Sequence, residues 1–178
     1  MTATIIVLSC VLWAAALAVL PFRQILAPVL SFLGLLTLSF ATNDAGFPLL
    51  PVNNVILVGW LCMTTVVTLA TLMQPAPVLS QTRGMGYILA GAIVGLAVGL
   101  LGFTVSSSVS MLYGIMIVGV VVGIFFGFLL YTNTPAGRPV NITSGFFFKY
   151  LLAKGFPTAI TVMQIGVELV LLIAIHNF

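Results

Sequence analysis

Charge is what this sequence has least of. Its 178 residues include five Lys and Arg, two Asp and Glu and a single His, so 4% of the side chains are charged. Ordinary soluble domains carry about 25%. So few polar groups cannot cover a water-facing surface, which excludes nucleic-acid binders, coiled coils, disordered tails and secreted disulfide scaffolds. One histidine leaves no pair for haem ligation and no H-E-x-x-H zinc constellation. One Asp and one Glu support neither an aspartyl dyad nor a multi-acid Mg²⁺ site. There is no G-x-S-x-G elbow and no phosphate-binding glycine loop. No catalytic residue, metal site or cofactor is therefore expected. Cys10 and Cys62, the two cysteines, both lie inside apolar runs and are expected to be reduced, buried thiols.

What fills the chain instead is apolar: 62% of residues are hydrophobic and the mean hydropathy is +1.34. A bilayer core about 30 Å thick needs about 20 helical residues to cross it. Six runs qualify: Thr4–Leu20, Gln24–Ala41, Asn53–Met73, Gly84–Phe103, Ser108–Thr132 and Pro157–His176. They are continuous rather than alternating, which excludes transmembrane strands. The expected fold is all-α: a polytopic integral membrane protein, one membrane domain over residues 1–178, six transmembrane helices with short loops. Its first partner is the lipid bilayer, with the plasma (inner) membrane as the expected site. No Lys or Arg precedes the first run, so it is expected to be an uncleaved span and not a signal peptide.

The breaks between runs carry turn and cap formers. Pro21-Phe22-Arg23 predicts a tight hairpin. The segment from Thr42 to Asn54, with Asp44 and Gly46, reads as a loop, as does Gln74 to Arg83 with its prolines. Val105 to Ser108 is a short fourth turn, and Asn133 to Gly145 is the longest connection. Phe146 to Lys154 (FFFKYLLAK) has two readings. It is either a separate interfacial helix with snorkelling Lys149 and Lys154, or the start of a long last helix kinked at Pro157. The Gly155-Phe156-Pro157 break favours the first. Arg23, Arg83, Arg138, Lys149 and Lys154 all fall on one side of a six-span chain. The positive-inside rule then places both termini outside.

Two patterns stand out within the spans. Gly91, Gly95 and Gly99 recur every four residues, as do Gly119, Gly123 and Gly127; chance alone gives about 0.15 such triplets per chain. Glycines on one face let helix backbones approach closely. The first reading is a hairpin between spans four and five. The others are a homo-oligomer or partner-subunit seam, and a smooth wall for a ligand. The second pattern is polar. Glu168 is the one acid inside a span, where an ionised group costs at least ~2.5 kcal/mol on insertion scales. Thr161, Gln164 and Glu168 share one helix face, as do Thr64, Thr68 and Thr71 on span three. The carboxylate with Gln164, Thr161, Thr64 and Thr68 could bind a substrate, proton or ion. Equally, Glu168 could be hydrogen-bonded glue, and the threonines could bond their own helix carbonyls. Trp13 and Trp60, well inside their spans, read as packing residues.

Two function classes follow. One is a small transporter, channel or membrane-embedded substrate-binding subunit with a midplane carboxylate. The other is a non-catalytic scaffold or accessory subunit that docks partner helices through its glycine faces. The expected topology is testable in a Cys10/Cys62-free background: Asp44→Cys should be labelled by an impermeant thiol reagent from outside, and Arg138→Cys should be protected. The opposite pattern at both positions would reject the orientation.

Overall fold

The computed structural model describes residues 2–42, 54–74, 84–101, 109–140 and 145–177. The loop carrying Asp44, the connection carrying Arg83, the turn at Ser106 and Ser107 and part of the connection after Val140 lie outside the described residues, as does the His176 side chain. Among the described residues every regular element is helical: α1 (Thr2–Val19), α2 (Leu26–Ser39), α3 (Asn54–Leu72), α4 (Met85–Leu101), α5 (Val109–Thr132), α6 (Phe147–Tyr150) and α7 (Phe156–Asn177). A 3₁₀ turn, Arg138–Val140, follows α5, and a π turn, Leu151–Gly155, joins α6 to α7. Two helices are long and apolar enough to cross a membrane by length and composition, Asn54–Leu72 and the Tyr113–Thr132 part of α5; the Thr4–Val19 part of α1, α2 and α4 are apolar but shorter.

The first hairpin is set by proline. Pro21 has no N–H to continue α1, and the chain reverses through Phe22 and Arg23, whose amides both donate to the Val19 carbonyl at 3.0 and 2.8 Å. Pro28 falls in the first turn of α2, where a missing N–H leaves no helical bond unmade. The returning helix lies against α1, and its buried face includes Ala27, Ser31, Gly34, Leu35 and Leu38. Gly34 is where the two come closest: a Cβ there would run into the indole Cδ1 and Nε1 of Trp13.

A second hairpin joins α4 and α5, the most extensive helix pair in the molecule. All six glycines of the two triplets fall on the facing sides. A Cβ on Gly91 would strike the Gly123 carbonyl, one on Gly95 the Gly119 carbonyl, and one on Gly99 the Met116 backbone; Gly127 lies on the Tyr87 carbonyl. At the hairpin's open end Gly84 takes φ +85°, and a side chain there would also collide with Tyr131 and Tyr150.

The last helix is the axis of the assembly. It packs on α1, α2, α3, α4 and α5, and from Pro157 to Val170 it is buried on every side, with only Ala159 and Leu169 half-buried. A helix buried all round has no solvent face on which to place polar residues. The outer helices show the converse: α3 buries Thr64, Val67 and Thr71 and turns Val55, Met63, Val66 and Leu69 outward.

Three expectations are corrected here. The chain does not break at Gly155-Phe156-Pro157: backbone angles stay helical at Tyr150, Leu151 and Phe156, so α6, the π turn and α7 run on as one helix. The widened turn lies directly ahead of Pro157, where the missing N–H and the ring would otherwise disturb an α-helical ladder. Lys154 does not snorkel; it is fully buried at 0% exposure, because the π turn carries it against the bundle. Cys10 and Cys62 are free and exposed, since they sit on the outward faces of α1 and α3.

The basic residues gather at one end. Leu20 and Ala27, flanking the first turn, pack on Met85 at the start of α4. Tyr87, two residues on, meets Tyr131 at the end of α5, which stacks on Tyr150 at 6.0 Å. Arg23, Arg138, Lys149 and Lys154 therefore lie toward the same end of the bundle.

The glycine contacts give a graded expectation. Gly95→Ala or Gly123→Ala forces a methyl group into backbone that cannot move aside, and should destabilise the protein by about 1–3 kcal/mol. At Gly86 and Gly114 a Cβ meets nothing within 4 Å, so alanine should be neutral or stabilise by up to about 1 kcal/mol through helix propensity. Thermal unfolding midpoints of the four purified variants check this; equal effects at all four would refute it.

Candidate functional site

The polar face of α7 is where buried hydrogen-bonding groups concentrate. Thr161, Gln164 and Glu168 are all at 0% exposure, and the helices around them determine which find partners.

Gln164 is fully engaged across three helices. Thr64 on α3 donates its hydroxyl proton to the Trp60 carbonyl, 2.7 Å away, so its oxygen is left to accept. The Gln164 amide nitrogen donates to it at 2.8 Å. This fixes which way the amide points, and its carbonyl oxygen then accepts from the Ser31 hydroxyl of α2, which also has the Pro28 carbonyl within reach at 3.1 Å. The result is a directional chain from Ser31 through Gln164 and Thr64 to the Trp60 carbonyl. It joins α2, α7 and α3 with no charge involved.

One turn further along, Glu168 differs in every respect. Both of its carboxyl oxygens are buried, and among the described residues neither makes a hydrogen bond of good geometry. The polar groups next to it are the Trp13 indole and the Ser9 hydroxyl of α1. The Ser9 proton goes to the Gly34 carbonyl at 2.9 Å, while the Trp13 Nε1 is itself buried and unpartnered. An unpaired donor thus lies beside an unpaired acid in an apolar interior. Buried polar groups almost always find partners, so such a pair is an exception within this interior.

Of the remaining candidates, Thr161 and Thr68 each have a buried hydroxyl with no partner. Thr71 bonds the Val67 carbonyl of its own helix at 2.7 Å. The structure therefore brings Thr64 to Gln164 and keeps Glu168 apart, beside α1. The glycine triplets form a different region. Along the outer side of their contact runs an apolar groove of about 440 Å³, walled by Val94, Val98, Val122 and Phe126. Glu168 does not line it. Among the described residues, no three His, Cys, Asp or Glu side chains converge as metal ligands.

Ser9 and Ser31 escaped the sequence reading, in which Trp13 is a packing residue with no connection to Glu168. Ser9 and Trp13 are four apart on α1 and so share a face; that was the available signal, but nothing in the sequence connects that face to Glu168. No family model, curated protein or solved structure matches this chain.

The hydrogen-bonded chain predicts unequal costs. Gln164→Leu removes the bonds between helices and leaves Ser31 and Thr64 only those to their own helices, to the Pro28 carbonyl at 3.1 Å and the Trp60 carbonyl at 2.7 Å, so it should cost about 1 kcal/mol. In a Ser31→Ala background the penalty should shrink, because one of the two lost bonds is already gone. A double-mutant cycle by thermal or denaturant unfolding measures this coupling; strictly additive effects would show the chain contributes nothing.

Proposed function

We propose that this protein is an integral membrane bundle of six spans and that its working centre is Glu168. The observation that carries this reading is its inverted polarity. Valines, leucines and phenylalanines face outward, among them Val7, Val11, Val66, Val94, Val98 and Phe126, while Ser9, Ser31, Gln164 and Glu168 are buried. Water would penalise so large an apolar exterior; hydrocarbon favours it and leaves the interior as the one place for polar chemistry. The basic end, with Arg23, Arg138 and Lys149, then faces the cytoplasm and both termini face outside. α2, at 14 residues, covers only about 21 Å as helix, so its flanking turn residues complete the crossing.

Within that setting the protein acts in transport, as a small carrier, channel or substrate-binding subunit. Glu168 binds the moving species, and the Ser31–Gln164–Thr64 chain holds the helices around it. An intramembrane carboxyl group lacking partners is costly to keep and points to an ion or substrate path. Reconstitution into liposomes tests this: the wild-type protein should move protons, cations or a small solute. Glu168→Gln, which keeps size and hydrogen-bonding capacity, should fold normally and abolish the flux. A Gln variant with full activity would remove Glu168 from the mechanism.

The groove along the glycine contact supports a second reading, a scaffold or accessory subunit that seats a partner helix or second copy against α4 and α5. A wild-type protein that is folded in liposomes and moves nothing would favour it.

A further inference from the structure

Glu168 has a restricted choice of ligand, and the groups around it narrow that choice. We infer that the species exchanged at this carboxyl group is a proton and not a metal cation, and that Trp13 is the positioning residue whose indole N–H receives the carboxylate when the proton leaves. The inference deepens the transport reading and rests on it for its biological use.

A hard cation needs a shell of several oxygen ligands. Among the described residues, one side-chain oxygen lies beside Glu168, that of Ser9, whose proton goes to the Gly34 carbonyl and whose lone pairs stay free. The Gln164 carbonyl oxygen accepts from Ser31, and the Thr64 oxygen accepts from Gln164. One hydroxyl oxygen falls short of the about six to eight that a hard cation gathers, and the other neighbour is the Trp13 N–H, a donor with no lone pair to offer. A donor of that kind opposes a bound cation and suits an ionised carboxylate. Trp13 is also held in place, since its indole edge lies on Gly34, where no side chain intervenes.

The exchange balances simply. The carboxyl O–H bond breaks with its electron pair left on oxygen, and the proton passes to water. The carboxylate so formed then accepts the Trp13 N–H, and nothing is oxidised or reduced. Among the described residues no neighbouring charge competes. α1 presents Ser9 and Trp13, α2 presents Gly34 and Ser31, and α3 presents Thr64 and Trp60; none of these ionises. From α4 and α5, Leu96 and Met116 press on α7 at Gly166. The titratable side chains of α5 packed on the same core are Tyr113 and Tyr131, and phenols ordinarily ionise near pH 10.

The test uses tryptophan itself as the reporter. Trp60→Phe leaves Trp13 as the sole tryptophan, and its emission is followed with pH in lipid nanodiscs. A one-proton curve is expected, absent from Trp60→Phe/Glu168→Gln and unmoved when sodium or potassium chloride replaces choline chloride. Infrared titration of the otherwise unsubstituted protein supplies a second measurement should Trp60→Phe fail to fold. The carboxyl C=O band assigned by its loss in Glu168→Gln should disappear on the same curve, and Trp13→Phe should shift the midpoint about one unit to higher pH, a tenfold change, by removing the donor to the ionised form. A flat response in folded protein, a midpoint displaced by sodium or potassium, or an unshifted Trp13→Phe curve would each overturn the inference. Flux plays no part in these readouts, so failure here leaves the transport reading to be judged by its own assay.

Discussion

The constraint on which the rest of the structure depends is that α7 is buried all round yet carries a glutamine in its middle. An amide in an apolar interior must have its donor and acceptor ends both engaged, or each unmade bond costs about 1–3 kcal/mol. Gln164 meets that demand by reaching Thr64 on one side and Ser31 on the other. This specifies which helices flank α7 and at what register. Apolar packing alone is non-directional and would tolerate other rotations of α2 and α3 about the central helix. The hydrogen-bonded chain does not.

The close helix contacts serve the same end. Enclosing one helix by five others requires that the others pack tightly among themselves. Residues without bulk make this geometry available: Gly34 lets Trp13 settle onto α2, and the paired glycine triplets bring α4 and α5 to backbone contact. Trp13 is in this way both a packing residue and a neighbour of Glu168. A substitution at Gly34 would reach the carboxyl group through the indole without touching it.

Gln164 and Glu168 lie about one turn apart on one face and have opposite circumstances. The neutral amide is locked into three helices, while the acid is left beside a single unused donor. In a low-dielectric interior a polar group without partners is costly, and one held by several bonds is not. The difference between the two follows from their neighbours and not from their own chemistry.

Much of this was legible in the residues. Continuous apolar runs place the first five long helices to within a few residues, whereas the last begins earlier than its run, because α6 and the π turn lead into α7 without a break. The four-residue glycine spacing marks the sides on which α4 and α5 meet, and the shared face of Thr161, Gln164 and Glu168 follows from helical periodicity alone. Periodicity, however, only reports position around a single axis. It could not show that Lys154 is buried, since the π turn that carries it inward runs through Gly155, expected to be a break. Nor could it show that Cys10 and Cys62 face outward, because an apolar run buried on one side and exposed on the other looks the same as one buried throughout. The partners of Gln164 and the neighbours of Glu168 were decided only in three dimensions. Ser31 and Gln164 are 133 residues apart, and what brings them together is the mutual fit of helices around α7, a property of the assembled bundle that no single helix contains.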